Sequence, residues 1–177
     1  MKKVKAHLQD ENDLKRTMMR LAHEIIERNP DLNKMAIVGI RTRGEIIAQR
    51  IAKSISDIGK SKIDNGTLDV TFYRDDFRTS FGSPQVGPSD IKFDVTDKNI
   101  ILIDDVLYTG RTIRAAMDAL YSWGRPQRVM LLVMVDRGHR ELPIQPDFCG
   151  KKVPTSKIES ISLRLKNVDN EEGVFLE

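Results

Sequence analysis

Two adjacent carboxylates, Asp104 and Asp105, are followed closely by Thr109, Gly110, Arg111 and Thr112. Carboxylates accept hydrogen bonds, so an acid pair suits vicinal hydroxyls or the water shell of a metal ion. The second group offers backbone N–H donors, two hydroxyls and a glycine that admits a ligand close to the main chain. A helix starting there adds its positive dipole end, which makes an anion site, and phosphate is the obvious anion. The acids lie upstream of that turn and do not hold the same phosphate. One ligand with a phosphate at one end and a diol beside it is a ribose 5-phosphate. Acids at strand ends and Thr-Gly turns also occur with no ligand, and receiver domains end strands in acids too. The pattern G-x-x-x-x-G-K-[ST] is absent, which excludes a Walker-type nucleotide site.

A second constellation lies upstream: Arg41, Thr42, Arg43 and Gly44 after Gly39-Ile40. Two guanidiniums around a short glycine-bounded turn suit a second anion, because arginine grips phosphate oxygens in a bidentate fork. Alone, the turn reads equally well as a solvent-facing basic loop.

The elements that must position these groups follow from periodicity. Residues 35–38 and the run Ile100, Ile101, Leu102, Ile103 are short, apolar and largely β-branched, as strands buried on both faces are. Residues 129–135 form a third such strand. Residues 45–58 and 112–123 read as helices; the latter buries Ile113, Ala116, Met117 and Leu120, with Trp123 packing at its end, Gly124 terminating it and Pro126 preventing resumption. An earlier helix, 14–28, carries Leu14, Met18, Leu21, Ile25 and Ile26 on one face, is capped by Asp13 and stops at Asn29-Pro30. Its other face shows Lys15, Arg16, Arg20, His23 and Arg28, either a solvated face or an RNA-contacting one. Residues 66–73 alternate as a half-buried strand. The polar stretch that follows, about 74–90, is long enough to be a mobile lid. Residues 136–155 are too irregular for core structure, and 158–165 offer another strand. The strand–helix alternation predicts an α/β fold, a mainly parallel twisted sheet flanked by helices. Ligands on such sheets sit beyond the carboxyl ends of the strands, where both anion turns fall.

Composition sets the outer bounds. A chain of 177 residues fits one domain, 1–177, and its 31% charged residues rule out a membrane-embedded protein. No apolar run approaches the roughly 20 residues of a membrane span. Met1-Lys2-Lys3 is not followed by a signal-type apolar core, and Cys149 is the only cysteine, so the expected compartment is the cytoplasm. Cys149 reads as a packing residue. A net charge of +3 suits phosphate-rich ligands without indicating a nucleic-acid protein.

The run IILIDDVLYTGRT, residues 100–112, resembles the PRPP-binding motif of type I phosphoribosyltransferases. With VDRGHRELPI, residues 135–144, it is similar to the PyrR family, the bifunctional pyrimidine-operon attenuation proteins and uracil phosphoribosyltransferases. The resemblance spans about residues 14–168. It implies that Val106, Leu107, Tyr108, Thr109, Gly110, Arg111 and Thr112 bind the PRPP phosphate and that Asp104 and Asp105 hold the ribose hydroxyls. It implies a pyrophosphate turn at Arg41, Thr42, Arg43 and Gly44 with a strained cis peptide, joined by Tyr73 and Arg74 at the base of the lid. A small hood, about 136–160, covers the base, with contacts from Arg137 and from backbone near Ile161.

The activity implied is uracil + PRPP → UMP + pyrophosphate with Mg²⁺, the metal reached through PRPP oxygens and waters or directly by Asp104 and Asp105. Asp104, Asp105, Arg41 and Arg43 are then the catalytic set. Two alternatives stand. The chain is an RNA-binding attenuator of a pyr mRNA leader, contacting RNA through Arg20, His23, Arg140 and Lys151; Met19 and Gln145 depart from the RNA-binding pattern. Or it transfers phosphoribose to a purine. The resemblance also implies a homodimer or higher homo-oligomer.

Overall fold

A computed structural model describes residues 3–70 and 89–177. In chain order the elements are β1 (Ala6–Gln9), α1 (Glu11–Arg28), β2 (Met35–Ile40), α2 (Arg43–Gly59), β3 (Asp64–Leu68), β4 (Asn99–Leu107), α3 (Arg111–Tyr121), β5 (Arg128–Asp136), β6 (Phe148–Lys152), β7 (Ile161–Arg164), α4 (Lys166–Asp169) and β8 (Gly173–Leu176). A five-stranded sheet runs β3-β2-β4-β5-β6, and every pairing in it is parallel. A separate antiparallel sheet, β1-β8-β7, joins the two ends of the chain.

The central strands β2, β4 and β5 are apolar on both faces, as a sheet covered by helices on both sides requires. Successive side chains alternate between the faces. Ile101 and Ile103 of β4, with Met130, Leu132 and Met134 of β5, pack against α1 and α2. Ile100 and Leu102, with Leu131 and Val133, pack against α3 through Ile113, Ala116 and Leu120. Each central strand therefore carries two core faces, and its carboxyl end is held from both sides.

Several expectations change in detail. The cap of α1 is Asp10, not Asp13. The Asp10 carboxylate accepts from the Asp13 N–H at 2.8 Å, and the Asp13 carboxylate accepts from the Asp10 N–H at 3.2 Å, a reciprocal capping box. Residues 136–155 do contain core structure: β6 pairs in parallel with β5, and Phe148 is fully buried. The strand expected over 66–73 begins earlier and ends at Leu68 among the described residues, with 71–73 lying outside them. On α3 the buried stripe runs through Ala115 and Ala119, leaving Met117 36% and Trp123 43% exposed. Trp123 lies just past the Ser122 C-cap, beyond the end of the helix, and is not core. Cys149 packs at the edge of the α3-side core, and burial pushes its thiol up, away from the reactive thiolate.

Candidate active site

Two cavities open at the carboxyl ends of β2 and β4. The first, about 400 Å³, is lined by the turn from Val106 to Ile113 together with Asp104, Arg137 and Ile161. The second, about 340 Å³, is lined by Ile40, Arg41, Thr42, Arg43, Val70 and Asp105, and it shares Asp104, Val106 and Thr112 with the first. Both anion turns thus face adjoining space, with Asp104 on the common wall.

Each turn leads into a helix whose N-cap residue supplies no capping side chain; at α3 a long bond, from the Arg111 N–H to Thr109 Oγ1 at 3.4 Å, engages a first-turn donor. Gly110, the N-cap of α3, and Thr42, the N-cap of α2, make no side-chain cap hydrogen bond among the described residues. Gly110 has φ +94, a left-handed conformation that a β-carbon disfavours. Gly44 is required for space: a Cβ there would lie 2.5 Å from the Ile103 carbonyl oxygen. Its absence lets the start of α2 lie directly on β4, beside the acids. The peptide between Arg41 and Thr42 is cis, at the turn where the resemblance places one.

The acid pair is not a symmetric clamp. Adjacent residues on a strand point to opposite sides, so Asp104 borders both cavities while Asp105 borders only the second. The Asp105 N–H donates to Asp104 Oδ1 at 3.0 Å, and the Val106 N–H donates to Asp105 Oδ1 at 2.7 Å. Burial pushes the Asp105 carboxyl above the usual carboxylate range, against the pull of the Val106 N–H and the Arg43 guanidinium.

The two arginines are tied to neighbouring acids. Arg41 Nε lies 3.2 Å from Glu45 Oε2, yet this buried nitrogen has no aligned hydrogen bond among the described residues. Arg43 forks onto Asp169 of α4, with Nε–Oδ2 at 3.1 Å and Nη2–Oδ1 at 2.6 Å. Nothing in the local pattern of residues 41–44 pointed to Asp169, which lies across the molecule in the chain.

Arg137 is placed at the first cavity but is deeply engaged. It donates to Thr155 Oγ1 and to the carbonyls of Ser156 and Glu159, and its guanidinium stacks 4.0 Å from the Tyr108 ring centre. It shapes the backbone leading to Ile161, which reaches the same cavity. Tyr73, Arg74 and almost all of the expected lid lie outside the described residues.

The expected RNA-contacting residues do not share one fate. His23 and Lys151 are exposed, on α1 and on the edge strand β6. Arg20 pairs with Glu24 and donates to the carbonyls of Cys149 and Gly150, fastening α1 to β6. Arg140 is directed inward: it donates to Asp136 Oδ2 at 2.6 Å, to Tyr108 O at 2.8 Å and to Ile144 O at 2.9 Å. Those bonds tie the loop after β5 to the phosphate turn at Tyr108. The rest of the basic face of α1 is also paired, Lys15 with Glu11 and Arg16 with Asp13. Arg28 donates to the Asp147 carbonyl.

A parallel sheet with an acid pair and two uncapped helix starts at one edge is the arrangement of a phosphoribosyl transferase domain, and the family model of that description matches residues 6–166. The fold agrees: a hypoxanthine-guanine phosphoribosyltransferase of Bacillus anthracis superposes with TM-score 0.74 over 98% of each chain, at 16% identity. Closer in sequence is the bifunctional protein PyrR of Thermoanaerobacter sp. (strain X514), 51% identical over 98% of both chains. The bifunctional protein PyrR of Latilactobacillus sakei is 50% identical over 95% of both. The chain belongs to the PyrR family of phosphoribosyltransferases.

Proposed function

We propose that the chain, as a single domain over residues 1–177, converts uracil and PRPP to UMP and pyrophosphate in the cytoplasm. The observation that carries this reading is the pair of uncapped helix N-termini facing adjoining cavities with Asp104 between them. Residues 106–112 receive the 5′-phosphate, Asp104 and Asp105 the ribose hydroxyls, and residues 41–44 the pyrophosphate, with Tyr73 and Arg74 joining from the lid. The bond from ribose C1 to a pyrophosphate oxygen breaks with its electron pair on that oxygen, one from C1 to uracil N1 forms, and the N1 proton is released to the pyrophosphate or to water. Positive charge develops on the ribose, where Asp104 stands. Negative charge develops on the leaving group, where Arg41, Arg43 and the start of α2 stand. Catalysis of this kind is positioning and preorganised electrostatics, with no covalent nucleophile. Uracil offers alternating N–H and C=O groups, which backbone near Ile161, held by Arg137, can read. The hood, expected over about 136–160, is interrupted by β6, so the segments on either side of that strand are left to cover the base.

Among the described residues no group of three or more His, Cys, Asp or Glu side chains could hold a metal. Asp104 and Asp105 beside the second cavity instead fit Mg²⁺ in its usual manner, with one or two carboxylates and the rest substrate oxygens and water. Bound there, Mg²⁺ supplies charge neutralisation for the leaving pyrophosphate. The decisive assay offers uracil, hypoxanthine, guanine and orotate with PRPP. Uracil is the expected substrate, and preference for a purine overturns the reading.

A regulatory second activity, binding a pyr mRNA leader, is favoured by exposed basic side chains on two elements fastened together, His23 on α1 and Lys151 and Lys152 on β6. Phosphate contacts make such binding steeply salt-dependent. A UMP-enhanced gel shift at low salt that fades with added salt is expected, and its absence removes the activity. The enzyme is a homo-oligomer in this reading, which sedimentation tests.

A further inference from the structure

The segment between β7 and β8 is fastened to α2 at two points on one helical face. Arg43 and Arg50 lie two turns apart, and each grips a carboxylate of that segment. Arg50 reaches both carboxylate oxygens of Glu172 and donates to Asn167 Oδ1 at 2.9 Å. Arg43 forks onto Asp169 with its Nε–Nη2 edge. Asp169 is itself held from behind, because the Leu165 N–H donates to its Oδ2 at 2.9 Å and its own N–H donates to the Leu165 carbonyl at 2.8 Å. Lys166 adds a bond to Glu11 of α1. The carboxylate is therefore fixed before it meets the guanidinium.

An arginine presents five N–H donors in a rigid plane, and a fork on one edge fixes the direction of the rest. Arg43 also lines the second cavity, beside Asp105. Its guanidinium is thus anchored on one edge by a residue outside the cavity while its remaining donors belong to a site with an anion-binding character. The pair is strongly ionised: Asp169 holds Arg43 above its ordinary range, and Arg43 holds Asp169 below the usual carboxylate range.

We propose that Asp169 is a positioning residue of the pyrophosphate turn, orienting Arg43 toward the leaving group of PRPP from the far end of the chain. This rests on the assignment of residues 41–44 to pyrophosphate. The Arg50–Glu172 pair fastens the same segment without touching either cavity, so it serves as the internal control for a merely structural role. Preorganisation of this kind acts on ligands that reach the pyrophosphate turn and leaves alone those that do not. PRPP and inorganic pyrophosphate reach it; UMP, which ends at the ribose, does not.

The test is calorimetric binding of PRPP, pyrophosphate and UMP with Mg²⁺ to Asp169→Asn, Glu172→Gln and Arg43→Lys, and to the Arg43→Lys/Asp169→Asn double variant. Asp169→Asn is expected to weaken PRPP and pyrophosphate about tenfold and leave UMP unchanged, while Glu172→Gln lowers thermal stability with all three affinities intact. In the Arg43→Lys background, where no fork exists, Asp169→Asn adds nothing. Equal weakening of UMP, or unchanged PRPP binding in Asp169→Asn while Arg43→Lys weakens it, overturns the positioning role alone. Unchanged PRPP and pyrophosphate binding in Arg43→Lys overturns the pyrophosphate assignment and the proposal with it. If Asp169→Asn does not fold, Asp169→Glu, which displaces the fork by one methylene, reads the same split.

Discussion

The start of α1 and the starts of α2 and α3 treat the same physical problem in opposite ways. Every helix leaves its first N–H groups without intrahelical partners. At α1 the chain answers locally, with Asp10 and Asp13 capping each other's backbone. At α2 and α3 the N-cap residues are Thr42 and Gly110, and neither supplies a capping bond among the described residues. The difference follows location. α1 begins beside the small sheet, away from both cavities, and its donors need a permanent partner. α2 and α3 begin at the cavities, where a permanent partner would compete with a substrate anion. Of the three long helices, the two without a side-chain cap begin at the cavities and the one with a complete capping box begins away from them.

The hardest way to break the contrast is to remove the acids that the uncapped helices flank. Asp104→Asn with Asp105→Asn is expected to lower turnover of uracil and PRPP by about 100-fold or more, measured at saturating Mg²⁺. Intact turnover and PRPP affinity would show that the ribose assignment is wrong. The single variant Asp105→Asn carries an opposite effect on stability. Because burial raises the folded-state value of Asp105, its charged form disfavours the fold, and that penalty grows as pH rises through the raised value. Asp105→Asn is therefore expected to melt higher than the parent at neutral pH, with the advantage shrinking on acidification. The Asp169 carboxyl has the reverse sign, since its value is depressed: its stabilising contribution is present at neutral pH and is lost as pH falls through the folded value.

Next in size is Gly44→Ala, which would force a methyl into the Ile103 carbonyl. Overpacking of that kind costs about 1–3 kcal/mol and shifts the start of α2, so both melting temperature and PRPP turnover should fall. Thr42→Asp sharpens the comparison directly by giving α2 the acidic cap that α1 has. The expected outcome is unchanged or higher thermal stability with PRPP affinity reduced about tenfold, because the carboxylate takes the donors an anion would use. Asp10→Ala makes the smallest change and the most one-sided one. It should lose about 1 kcal/mol in denaturant unfolding and leave the kinetics untouched.

Legibility in sequence followed the range of the interactions. The strand, acid, turn and helix order of residues 99–121 could be read because each step is local: an apolar run, paired carboxylates, a glycine, then helical spacing. The second turn was readable for the same reason. The capping box of α1 was nearly readable and was missed by placing the cap at Asp13, the residue that in fact stands at the far end of the reciprocal pair. β6 was missed because its buried signal is brief: Phe148 is core, while Lys151 and Lys152 are exposed at the sheet edge. The bracing role of Arg140 was not legible because its four acceptor groups are brought around it only by the fold.

Short-range patterning determined the central strands β2, β4 and β5, the three long helices and the two turns between them, since hydrophobic period and turn chemistry act within a few residues. Tertiary structure alone decided that the two turns share a wall at Asp104, that the chain's ends close into one sheet, and that Asp169 meets Arg43. Those are meetings of segments far apart in the chain, set by how the parallel sheet and its two helical layers bring strand ends together, and no local spacing encodes them.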